Sequence, residues 1–180
     1  MIELDKKIVS FPPVLPDEPR VLILGSMPSV KSLEEQQYYG NPRNHFWPIL
    51  FALFQENKID NYDDRIDFVK KHGIALWDAI AACYREGSLD SSIKDAEAND
   101  IAGLLERYPT IRFIGCNGTK AFDTFKKHFD FTQFPDVHVK KLPSTSPIPG
   151  RFTKTFDEKV ESWSIILKFI PPQTSGGQRK

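Results

Sequence analysis

Apolar residues along the chain follow two rhythms. Short unbroken runs, Val21-Leu22-Ile23-Leu24, Ile74-Ala75-Leu76-Trp77 and Ile111 to Cys116, read as strands buried on both faces of a parallel sheet. Val137-His138-Val139 with Leu142 is a fourth, more polar run that reads as a sheet edge. Between these runs the apolar positions recur at helical spacing. Phe46, Ile49, Leu50, Leu53 and Phe54 form one stripe of a helix over about 45–56, and Pro48, tolerable only in a first turn, sets its start close to Asn44. Phe156, Val160, Trp163, Leu167 and Ile170 form the stripe of another over about 153–169. Tyr62 to Lys71, stopped by His72-Gly73, Asp100 to Tyr108, and the segment carrying Ala121, Phe122 and Phe125 read as three more, with a short one in Lys31 to Gln37.

Strands alternating with helices predict an α/β fold, a three-layer α/β/α sandwich on a central, mainly parallel four-stranded sheet. The Pro-rich residues 1–20 read as an irregular lead-in against that sheet, and Ala79 to Ile93 as a loop with a short helix. The chain of 180 residues is expected to form a single domain over residues 1–170, followed by a disordered tail over 171–180 that lacks apolar periodicity.

Lys plus Arg equals Asp plus Glu at 24 each, so global charge points to no polyanionic partner. Local charge differs. Residues 21–33, 36–55 and 137–156 contain no acid, and the last stretch carries Lys140, Lys141, Arg151 and Lys154; brought together, they would form one cationic face. Cys83 and Cys116 are too few and too far apart for a disulfide framework or thiolate metal site. His45, His72, His128 and His138 share no metal-ligand spacing and read as surface or capping residues. No run is long enough to span a bilayer, and no signal-peptide pattern opens the chain. A soluble, intracellular protein of bacterial or archaeal cytoplasmic type is expected, without membrane contact.

In an open α/β sheet, ligands sit beyond the carboxyl ends of the strands, which puts Ser26-Met27-Pro28-Ser29 at the default active-site position. No Walker loop, GxGxxG or GxSxG motif appears. Three segments, however, occur in order: Gly25-Ser26-Met27-Pro28-Ser29, then Tyr39-Gly40-Asn41-Pro42-Arg43-Asn44-His45-Phe46-Trp47, then Leu142-Pro143-Ser144-Thr145-Ser146-Pro147. Together they resemble the motifs of the uracil-DNA glycosylase superfamily, with spacing similar to the mismatch-specific uracil and thymine glycosylases and most similar to the hypoxanthine-DNA glycosylase branch. The resemblance spans about residues 20–168. It departs at two places. Most of the superfamily has a catalytic Asp or Asn where Met27 stands, and many members have His or Asn where Leu142 stands. The hypoxanthine branch also lacks them and associates catalysis with the Asn of its NPRN-type segment, here Asn44.

The resemblance implies a monofunctional base-excision enzyme that flips a deaminated base, hypoxanthine first and uracil second, out of DNA and hydrolyses its N-glycosidic bond. No cofactor or metal is expected, and the expected partners are lesion-bearing DNA and downstream abasic-site repair enzymes, met by a monomer. Asn44 would orient the water through its amide carbonyl; a plain helix N-cap is the other reading of that residue, and Asn41, which reads as a turn residue, is the alternative catalyst. Tyr39 matches the aromatic that stacks on the flipped base. Ser26 and the Met27 amide would floor the pocket. Asp78 matches the Asn with which relatives read the base, and could accept the N1–H of hypoxanthine or N3–H of uracil; Asn117 resembles it in position, although Asn-Gly also reads as a turn. Ser144, Thr145 and Ser146 would meet phosphates, with Lys141 and Arg151 supplying charge and Ile148 wedging the gap left by the base. Two further readings are a non-catalytic damaged-base reader and a nucleoside hydrolase acting on free inosine.

Overall fold

In a computed structural model, which describes residues 6–148 and 153–171, the central sheet has four parallel strands. These are β2 (Val21–Gly25), β3 (Ile74–Asp78), β6 (Phe113–Asn117) and β7 (His138–Leu142), in the order β3-β2-β6-β7. Each residue of β2 is buried, and its side chains alternate between two cores. Val21 and Ile23 face the core shared with α2 (Phe46–Leu53), α3 (Tyr62–Lys71) and α6 (Phe156–Trp163). Leu22 and Leu24 face the core shared with α4 (Ile101–Arg107) and α5 (Thr119–His128). The expected sandwich is therefore present, with helices on both faces of the sheet, and this double burial is why the strands read as unbroken apolar runs. β7 lies at an edge and exposes most of its residues, as its polar sequence predicts.

A second sheet was not foreseen. β1 (Lys7–Val9), β4 (Ile80–Tyr84) and β5 (Lys94–Ala98) pair antiparallel in the order β1-β4-β5. β1 and β4 fall where an irregular lead-in and a loop with a helix were expected. The signal is weak because β4 is Ile-Ala-Ala-Cys-Tyr, and β5 is Lys-Asp-Ala-Glu-Ala, composed of residues depleted in strands and exposed throughout. Tertiary packing supplies what propensity lacks: Met27, Ile80 and Cys83 form a small core, with Ile8 and Ile93 against it. Register shifts between Ile80, Ala82 and Tyr84 bend the ladder.

The final helix is shorter than its stripe predicts. Thr155 and Glu158 form a capping box, α6 runs only to Trp163, and Ser164–Phe169 continue as a 3-10 helix. The short α1 (Val30–Glu35) is N-capped by Ser29. The predicted tail from 172 onward, Arg151 and the 149–152 end of the proline loop lie outside the described residues.

Candidate active site

The parallel register brings the carboxyl ends of β2, β3, β6 and β7 to one edge, where their loops enclose a cavity of about 380 Å³. The cavity is lined by Ser26, Met27, Tyr39, Asn41, Asn44, Asp78, Asn117, Ser144, Thr145, Ser146 and Ile148, so the three segments singled out in the sequence converge. Lys141 lies on exposed β7, outside this lining.

Asp78 ends β3 opposite Gly25 of β2. Its carboxyl is buried, and Oδ2 has no partner among the described residues. Burial pushes its pKa up to about 7; the nearby Arg85 cation opposes that shift and Asp90 adds to it. Gly25 leaves room for both groups: a Cβ there would stand 2.5 Å from Asp78 Oδ1 and 3.3 Å from the Tyr39 hydroxyl, so a larger residue must displace the carboxylate.

Tyr39 holds a left-handed backbone, φ 54°, which is strained for a non-glycine residue. The turn is clamped on either side: the Gly40 amide donates to Ser32 Oγ at 2.9 Å and the Trp47 indole donates to the Tyr38 carbonyl at 3.2 Å. One face of the Tyr39 ring stacks on Phe46 at 3.9 Å, while its buried hydroxyl makes no hydrogen bond. Burial, then the Asp78 carboxylate, push its pKa upward; Asn117 offsets part of this from short of hydrogen-bond geometry.

Asn44 sits one position ahead of the cap residue His45, and its Oδ1 accepts the Phe46 amide at 2.8 Å in an Asx turn. Its carbonyl keeps a second lone pair, and its Nδ2 makes no bond among the described residues. Asn41 does turn work: its side-chain oxygen accepts the Arg43 amide and its carbonyl accepts the Asn44 amide, both at 2.9 Å. Asn117 uses both side-chain groups on Thr145, donating to Oγ1 and accepting its amide, each at 2.9 Å. Thr145 is therefore 1% exposed and turned inward, which corrects its expected phosphate contact. Ser144 and Ser146 accept the amides of Ser146 and Ile148, leaving their hydroxyl protons to donate.

Several residues at the site were missed in the sequence. Phe11, from the lead-in, lines the cavity. Arg85 is buried; its Nη2 donates to the Pro28 carbonyl at 2.6 Å, and Nε and Nη1 have no partner among the described residues. Leu89 lines the mouth and is 49% exposed, like Ile148 at 43%. Its neighbours are pinned to the first loop: Ser88 Oγ accepts the Val30 amide and Asp90 accepts the Ser26 hydroxyl, both at 2.8 Å. The Met27 side chain packs into the second sheet's core. The one signal for this part of the wall was the loop position of residues 85–90, since the second sheet was not legible.

Charge also differs from expectation. The acid-free stretches meet, but among the described residues no Lys or Arg lines the cavity, whereas Asp78 and Asp90 do. His72 and His45 stand at cap positions of α3 and α2, as expected; His72 is buried against Phe54, and the half-buried His45 stands 3.2 Å from the Lys159 amine. Cys83 and Cys116 are free and buried. Among the described residues no His, Cys, Asp or Glu group could hold a metal, and no helix is long and apolar enough to cross a membrane.

The chain is similar to several known proteins. A Methanosarcina acetivorans protein named hypoxanthine DNA glycosylase is 40% identical over 159 residues, covering 88% of this chain and 96% of its own. One of the same name from Methanosarcina barkeri is 39% identical over 112 residues, 62% of this chain and 71% of its own. A solution NMR structure from Methanosarcina acetivorans, described as a candidate uracil DNA glycosylase, superposes with a TM-score of 0.76 at 38% identity, covering 91% of this chain and 99% of that one. The profile of the uracil DNA glycosylase superfamily matches residues 12–167, and with these relatives it establishes that the chain belongs to that superfamily.

Proposed function

We propose that the protein hydrolyses the N-glycosidic bond of deaminated bases in DNA, hypoxanthine foremost, by drawing the flipped nucleotide into the cavity at the strand ends. The observation that carries this reading is the pairing of a buried, partnerless Asp78 oxygen with Asn44 in the wall of one cavity. A buried polar atom without a partner is costly unless a ligand completes it. The names of the Methanosarcina relatives support hypoxanthine as the base.

In this reading Asp78 accepts the ring N–H of the base, and Asn44 holds a water through the second lone pair of its carbonyl. The Phe46 amide locks the Asn44 rotamer, so the water is placed before the bond stretches. Water oxygen bonds to the sugar C1′ as the C1′–N9 bond breaks, the electron pair leaves with the base, and the water proton is released. Ser144 and Ser146, with Lys141 behind them, donate to phosphates at the rim, and Ile148 enters the stack. Among the described residues the cavity lining carries no cation, which suits a neutral base, with the backbone held outside it.

A labelled duplex carrying deoxyinosine, incubated with the protein and then alkali, is expected to break at the lesion. An intact strand would overturn the enzyme reading, and tight lesion binding without scission would make the protein a reader instead. Gly25→Ala is expected to slow the reaction on the order of a hundredfold, because the new methyl displaces the Asp78 carboxylate by about an ångström and crowds the Tyr39 hydroxyl. Single-turnover rates with unchanged circular dichroism would check it.

A further inference from the structure

Tyr39 concentrates three unfavourable features in one residue. Its backbone is left-handed at φ 54°, its hydroxyl is buried without a partner among the described residues, and its neighbours on both sides are held by hydrogen bonds. Strain of this kind persists where the surroundings over-determine a geometry, and at functional sites it holds a group in place for a ligand. The ring face against Phe46 is already covered, and the tip is the part turned toward Asp78, since both meet at the position a Gly25 Cβ would take. The arrangement sets a hydroxyl donor beside a carboxyl acceptor in a cavity, and neither bonds the other.

We propose that Tyr39 determines base specificity through its hydroxyl, which donates to the ring carbonyl oxygen of the bound base while Asp78 takes the adjacent ring N–H. The pocket then selects bases that carry an N–H next to a C=O, as the lactam of hypoxanthine and the imide of uracil do. Adenine inverts the pattern: its ring nitrogen becomes an acceptor and faces the Asp78 oxygens. The inference deepens the glycosylase reading and rests on it for the cavity being the base site. It replaces a stacking role for Tyr39 with an in-plane one. The raised pKa of the phenol agrees, because it keeps the donor proton in place at any physiological pH.

The test compares duplexes bearing deoxyinosine with duplexes bearing purine 2′-deoxyriboside, which lacks the carbonyl oxygen and with it the ring N–H; the lost Asp78 contact is common to wild type and variant, so the change in ratio between them reads the Tyr39 contact alone. Wild type is expected to favour deoxyinosine by about a hundredfold or more, as sites built to bond a polar group discriminate against analogues lacking it. Tyr39→Phe is expected to lose about ten- to a hundredfold on deoxyinosine and about twofold or less on the purine, collapsing the ratio while the melting temperature holds or rises. Equal losses on both substrates, or no loss on either, overturn the proposal. So does a wild-type preference below about threefold, a measurement that needs no variant. Binding anisotropy run on the same duplexes separates the two claims: discrimination in binding that Tyr39→Phe collapses, without scission, removes the enzyme reading and keeps the Tyr39 assignment, whereas scission without discrimination does the reverse.

Discussion

Replacing Asn44 with alanine is expected to slow single-turnover cleavage of a deoxyinosine duplex by roughly a hundred- to a thousandfold, the usual effect of removing one preorganised polar contact at a transition state. The same change should lower stability by about 1 kcal/mol, because the Phe46 amide loses its acceptor at the start of α2. The two losses have separate causes and can be parted. Asn44→Ser restores an acceptor for the Phe46 amide through a turn of the same kind, so denaturant melts should return most of the stability. Its shorter hydroxyl does not reach where the amide carbonyl is proposed to hold water, so the rate should stay low. A serine variant with wild-type rate and wild-type stability would reduce Asn44 to a helix-start residue.

Asp78→Asn is expected to gain stability relative to wild type as pH rises, by about 4 kcal/mol between pH 4 and pH 8. The sign follows from the direction of the shift. Folding raises the Asp78 pKa from 3.8 to about 7, so the native state keeps a proton that the unfolded chain releases. The penalty is absent below pH 3.8, grows from there to about pH 7, and is constant above. Asparagine cannot ionise, so the stability gap between variant and wild type should open over that window. Its carbonyl can still accept a ring N–H, and activity should stay within about tenfold of wild type. Urea melts at pH 4 and pH 8 check the claim; equal stabilities at both would mean that burial does not penalise this carboxylate.

The legible parts of the fold are those where pattern and burial coincide. β2 and β3 were readable because both faces of each strand meet apolar helices, and α3 because its caps and its Gly73 stop are local. The cavity residues were readable through their order along the chain together with the strand-end rule, which is topological and survives weak local signals. The second sheet was not. Ala81-Ala82 and the charged β5 carry no strand propensity, and their pairing is decided by Met27 and Ile8 arriving from distant segments. With that sheet hidden, Arg85 and Leu89 had no visible position. Thr145 illustrates another limit: a Ser-Thr-Ser loop reads as uniformly exposed, and only the reach of Asn117 across from β6 turns its middle residue inward.

The double bond between Asn117 and Thr145 imitates one more rung of the parallel ladder, with an amide side chain standing in for a strand. Stiffness of the sheet is thereby carried past its last residue into the segment ending at Ile148. If the Ile148 tip enters duplex DNA as proposed, it arrives already set, so docking would leave little loop freedom to be frozen and the energy of contact would remain available for parting the bases.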